Sequence, residues 1–155
     1  MDFHSERSES YSHLTEYHDY RVLSWMRNLE YSPLSEYQLN ALTHSLRESG
    51  VVDPLVCGVG QYSQRCRLDT GNHRIWIAPQ LGIFELPTVV AVHNYCAISN
   101  ANGDHSSGCA DVLRLAKQYY PGRDSVRYRR FSEVFDLPTL YSRYAPDNPL
   151  VEQYI

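Results

Sequence analysis

Residues 68–90, LDTGNHRIWIAPQLGIFELPTVV, restrict the fold more than any other part of the chain. The alternating segment RCRLD, 65–69, leads to Gly71. An apolar run follows, Gly82 interrupts it, and LPTVVAVHN opens on a proline and continues in β-branched residues. Alternation has the two-residue period of a strand with one buried face. Glycine supplies the backbone freedom a strand needs to turn into a helix, and it commonly follows a helix's last turn. The segment therefore reads as strand, helix over 71–82, and a second, buried strand. Pro79 is awkward inside that helix, because it removes a backbone donor and kinks the turn.

The preceding residues extend the pattern. In SPLSEYQLNALTHSLRESG, Ser35 can cap a helix whose Leu39, Leu42 and Leu46 share one face, and Gly50 ends it. Pro54 favours an extended neighbour, and Leu55–Val59 read as a strand. Residues 19–31 read as a strand leading into a turn or as a short helix, and periodicity does not decide between them. Residues 97–108 have a loop composition, and CADVLRLAKQYY at 109–120 reads as an amphipathic helix. Beyond Pro121, charge, tyrosine and proline mix as an irregular wrap or a docking tail. The expected architecture is α+β: a mixed sheet with helices covering it, an appended C-terminal helix and an irregular tail. Residues 1–18 form a flexible N-terminal segment, 19–96 the core, 97–108 a loop, and 109–155 the C-terminal part.

Composition narrows the function classes. A chain of 155 residues, 43% hydrophobic and 21% charged, suits one globular domain. No apolar run approaches the roughly 20 residues of a spanning helix, and the polar N-terminus lacks a signal-peptide core, so no membrane and a cytoplasmic location are expected. The four cysteines form no CxxC pair and read as reduced thiols. A net charge of −4 does not favour a broad duplex-DNA grip. The 13 tyrosines read as a packed, polar periphery or, in the termini, as a surface for a protein partner.

Chemistry concentrates at Asp69–Arg74. Gly71 frees the backbone, and the first amides of the helix, from Asn72 onward, lack internal partners and face an anion favourably. His73 and Arg74 add donors, and Arg74 can fork onto a phosphate. Asp69 ends the preceding strand, where it can hold a divalent metal or orient His73 or Arg74. An Asp–Gly–Arg cluster can equally close a turn, with the aspartate as cap and the arginine as its partner.

The ordered combination of Ser45, Leu46, Gly50, Pro54, Leu55, Gly71, His73, Arg74, Leu81, Gly82, Pro87 and Val90 resembles the ParB/sulfiredoxin-like superfamily over roughly residues 30–93. That resemblance implies a nucleotide-binding fold in which His73 and Arg74 match the phosphate-binding pair of the sulfiredoxin box G-G-C-H-R. The reducing cysteine of that box is Asn72 here, so sulfinic-acid reduction is not carried over. The G-E-R-R box of ParB proteins becomes Gly71, Asn72, His73 and Arg74, which puts cytidine selectivity in doubt. Relatives with a D-G-H-H-R box include a serine kinase; Asp69, Gly71, His73 and Arg74 fit that version, with Thr70 inserted. Ser45 lies where a helix hydroxyl approaches the phosphates in sulfiredoxins, or it back-bonds within its helix.

The resemblance therefore implies Mg²⁺-dependent hydrolysis of ATP or another NTP, or phosphoryl transfer. Catalytic candidates are Asp69, Glu30 and His73, the phosphate binders are Ser45, Gly71, Asn72, His73 and Arg74, and Asp69 would hold the metal. Glu36 is a further candidate base. Two alternatives remain open: a ParB-like nuclease or DNA-associated protein, and a non-catalytic protein-binding module. Small stand-alone members of the superfamily are frequent in phages and mobile elements, so a phage protein is an expected origin. The arginines of RDSVRYRRF, 123–131, can touch single-stranded nucleic acid or form local ion pairs.

Overall fold

The computed structural model describes residues 12–27, 33–61, 64–93, 107–115, 126–149 and 151. The elements are a 3₁₀ turn (Ser12–Leu14), β1 (Glu16–Asp19), α1 (Tyr20–Ser24), α2 (Glu36–Ser49), β2 (Leu55–Gly60), β3 (Arg65–Thr70), α3 (Arg74–Ile77) continued by a 3₁₀ turn (Ala78–Leu81), β4 (Glu85–His93), β5 (Ser107–Gly108), β6 (Val126–Arg129), α4 (Phe131–Val134) and α5 (Leu137–Tyr144). The six strands form one mixed sheet in the order β1–β4–β2–β3–β5, with β6 also on β4. The expected α+β architecture is what the chain adopts.

β4 organises this sheet. β2 runs parallel to it along Thr88–His93. Its other edge is shared end to end: β1 pairs antiparallel with Glu85–Thr88, and β6 pairs antiparallel with Val90–His93. Seven consecutive residues, Leu86–Val92, are buried, as a strand covered on both faces requires.

The larger core lies on the helix face. Leu55, Cys57, Val59, Cys66, Leu68, Leu86, Val90 and Val92 meet Val22, Leu23 and Met26 from α1 and the turn after it, Ile75 and Ala78 from the α3 segment, and Phe131, Leu140 and Tyr141 from the C-terminal helices. The opposite face holds a smaller cluster of Val56, Val89 and Ala91, with Leu14, Val126 and Tyr128 packed against it. β3 displays the division directly: Cys66 and Leu68 are buried, while Arg65, Arg67 and Asp69 alternate onto the other face.

The helix signals read from sequence take effect at α2. The Ser35 hydroxyl accepts from Gln38 N, the Gln38 side-chain Oε1 accepts from Ser35 N, and Gly50 ends the helix at φ 69°. Only Leu46 on this helix is fully buried; Leu39 and Leu42 are half-buried. Pro79 causes no break, because α3 changes to a 3₁₀ turn at Ala78 and Gly82 closes it at φ 81°.

The ends depart from the sequence reading. Residues 16–18, expected within the flexible N-terminal segment, instead form with Asp19 an edge strand of the sheet. Over 109–115, the start of the expected amphipathic helix, the chain makes a turn instead. Arg114 N bonds the Val134 carbonyl and Asp136 N bonds the Val112 carbonyl, so the C-terminal segment takes groups an α-helix would use internally. The C-terminal helix lies at Leu137–Tyr144, capped by Asp136, with Leu137, Leu140 and Tyr141 buried. The Cys66 and Cys109 side chains meet in the core with Cα atoms 6.1 Å apart, and Cys57 is free and buried.

A polar network anchors the C-terminal helices to β1. Ser132 donates from its backbone N and its hydroxyl to Glu16, at 2.8 and 2.6 Å. His18 Nε2 lies 3.1 Å from Glu16 Oε1 and Nδ1 lies 2.9 Å from the Tyr141 hydroxyl. A carboxylate only accepts, so Nε2–H donates to it, and in the neutral ring Nδ1 then accepts from Tyr141. That hydroxyl also accepts from Asp19 N at 3.2 Å. Burial pushes the Glu16 carboxyl up, but the hydrogen bonds from His18 and Ser132 outweigh it and hold the group at about 2.

Candidate functional site

The turn from β3 into α3 is built around Gly71. Its φ is 104°, and a Cβ there would lie 2.4 Å from Leu55 Cγ. Both the backbone and the core therefore require glycine. Helical bonding begins at once: Ile75 N donates to Gly71 O at 2.9 Å and Ile77 N to His73 O at 3.0 Å.

Asn72 is turned inward. It is 3% exposed, and its amide donates to the Leu68 carbonyl at 2.9 Å. Its side chain thus ties the turn to β3. His73 stands at the start of α3, partly exposed, and makes no side-chain cap. α3 is only four residues long, so its macrodipole is small.

Arg74 is the distinctive residue. It is partly buried, and its guanidinium donates to the Asp53 carbonyl in the loop before β2. Burial lowers its pKa, and the nearby Asp53 carboxylate opposes that. Among the described residues no carboxylate comes within ion-pair distance of it, unlike Arg21, Arg67, Arg130 and Arg143, each of which meets one.

Asp69 is not brought beside His73 and Arg74. The period-two alternation places it on the face away from α3. Its carboxylate crosses over Gly58, where a Cβ would lie 2.3 Å from Oδ2. Arg67 Nε donates to it at 3.2 Å, and His93 Nε2 lies 3.5 Å away across β2. β3 carries an extra residue, Asp69, opposite the Val56–Cys57 step; Thr70 pairs with Val56, and its hydroxyl accepts from Val56 N at 3.3 Å. With its oxygens engaged there, Asp69 does not fit a Mg²⁺ ion serving phosphates at Arg74. Among the described residues there is no group of three or more His, Cys, Asp or Glu placed to hold a metal.

Ser45 is exposed on α2, and the back-bond weighed for it is made instead by Thr43, to the Leu39 carbonyl at 2.8 Å. Glu36 is exposed at the far end of that helix. Glu30 lies outside the described residues. Sequence reasoning brought Gly71, Asn72, His73 and Arg74 together and missed Asp53, Arg67, Gly58 and His93. Counting the strand period back from Asp69 to Arg67 was the available signal for Asp69's true face. Nothing local marks Asp53, which acts through a backbone carbonyl. No family model matches this chain, and no curated protein matches it.

Proposed function

We propose that the chain binds a nucleotide through its phosphates at the turn 71–74, with Arg74 as the anchor and His73 as a second donor. One observation carries this reading: a partly buried guanidinium that hydrogen-bonds a single backbone carbonyl and, among the described residues, has no carboxylate within contact distance, the Asp53 carboxylate acting on it only from farther off. A partly desolvated charge with no carboxylate in contact is costly, and a phosphate oxyanion offsets that cost through a bidentate, charge-assisted contact. Gly71 supports the site because it lets the chain turn against Leu55 and present residues 73 and 74 at the sheet's end. The resemblance to nucleotide-binding proteins in the 30–93 region points to the same turn. Phosphoryl transfer through Asp69 has no geometric support, since that carboxylate faces the other side of the sheet.

Calorimetric titration with ATP, CTP, GTP and ADP, with and without Mg²⁺, tests the reading on wild type, Arg74→Ala and Arg74→Lys. Wild type should bind at least one nucleotide. Arg74→Ala should weaken it about tenfold or more, and Arg74→Lys should restore only part, because ammonium lacks the planar fork. No heat from any nucleotide, or equal affinity in Arg74→Ala, refutes it.

A further inference from the structure

A cleft of about 500 Å³ opens beside this site, lined by Ser12, Thr15, Tyr17, Val52, Asp53, Pro54 and Pro87. Register explains its floor. Tyr17 stands opposite Pro87 across β1 and β4, and Leu55 stands level with Thr88 across β2 and β4. Pro54 is therefore level with Pro87. One phenol and two pyrrolidine rings line up across three neighbouring strands, on the face away from the helices.

Two of these residues are left more open than apolar groups usually are. Tyr17 is 62% exposed and Val52 is 74% exposed. A cleft of this size suits one small ring system. Aromatic side chains take nucleobases by stacking, with little regard to base identity. Ser12 and Thr15, both hydroxyl-bearing, are also among the lining residues, and a ring edge needs donors or acceptors. The cleft also adjoins the phosphate anchor, because Asp53 lines it and Asp53's carbonyl is the group that Arg74 holds.

We infer that this cleft receives the base of the bound nucleotide, with the ring stacked on Tyr17 over Pro54 and Pro87. The phosphate half of that placement rests on the proposed role of Arg74; the ring half stands on the cleft alone. The ligand thus straddles the end of the sheet, its base on one face and its phosphates at the start of α3.

Amide NMR of the whole chain, titrated separately with adenosine, inorganic tripolyphosphate and ATP, tests the two halves independently. Adenosine should shift the amides of Tyr17, Val52 and Asp53. Tyr17→Ala should weaken ATP about tenfold and leave tripolyphosphate unchanged, while Tyr17→Phe, which keeps the ring, should bind ATP like wild type. Adenosine that moves none of these amides, or Tyr17→Ala binding ATP as tightly as wild type, overturns the inference. Should tripolyphosphate fail to bind while adenosine shifts the cleft, the Arg74 reading falls and the ring site stands. Tripolyphosphate binding as well as ATP, with no response at Tyr17, has the opposite meaning.

Discussion

Gly58→Ala tests where Asp69 points. A Cβ at position 58 would lie 2.3 Å from Asp69 Oδ2, 2.6 Å from Cγ and 2.7 Å from Oδ1. Gly58 is not among the glycines with positive φ, so its backbone accepts alanine and the effect falls on the carboxylate. Overpacking of this kind costs about 1–3 kcal/mol. Displacing the carboxylate also breaks its 3.2 Å pair with Arg67, whose side chain is 24% exposed against 15% for Asp69, and that adds up to about 1 kcal/mol. The total, about 2–3 kcal/mol, should lower the melting temperature by roughly 5–10 °C for a chain of this length. Asp69→Ala in the Gly58→Ala background removes the obstacle, so the two substitutions should couple by about 1–2 kcal/mol in a double-mutant cycle. Thermal and urea unfolding of the four proteins measures this. A Gly58→Ala protein within about 0.5 kcal/mol of wild type, or strictly additive substitutions, refutes the crossing. Since the crossing keeps Asp69 away from Arg74, neither substitution should change nucleotide affinity by more than about twofold.

Gly71→Ala combines a positive φ with a contact into Leu55 and should cost about 3 kcal/mol in urea unfolding; a loss under about 1 kcal/mol would contradict the turn geometry. Glu16 gives a pH signature. Its folded carboxyl is held at about 2 against an ordinary 4.5, so its stabilisation is present above pH 4.5 and is lost as the pH falls toward 2. With the side chain 26% exposed, the contribution is about 1–2 kcal/mol after allowing for solvent screening. Glu16→Gln should lose that amount near neutrality and show a shallower acid limb between pH 4.5 and 2, read from urea midpoints; an unchanged acid limb would sink the assignment.

The local signals in the sequence were faithful where backbone chemistry is local. Ser35 and Gly50 bound α2, Gly71 and Gly82 bound the α3 segment, and the alternation of Cys66 and Leu68 against Arg65, Arg67 and Asp69 marks β3. β1 and β6 were less legible because each is four residues long and takes half of one edge of β4, a partnership fixed only in three dimensions. The turn at 109–115 misled for the same reason: Val112, Leu113 and Leu115 suit a helix, but Val134 and Asp136 compete for the backbone. At the site, adjacency placed Gly71, Asn72, His73 and Arg74 together with Asp69, whose carboxylate meets Arg67 and His93 instead. One step along a strand changes the face, and reading Asp69 as a neighbour of the turn ignored that period. Arg74's partner, the Asp53 carbonyl, carries no side-chain signature at all.

A crystal structure of the chain with bound ATP tests the central claim most directly. The account predicts phosphate density within hydrogen-bond reach of the Arg74 guanidinium, about 3 Å, on the α3 side of the sheet. Phosphates bound elsewhere, with Arg74 still holding only the Asp53 carbonyl, would contradict it.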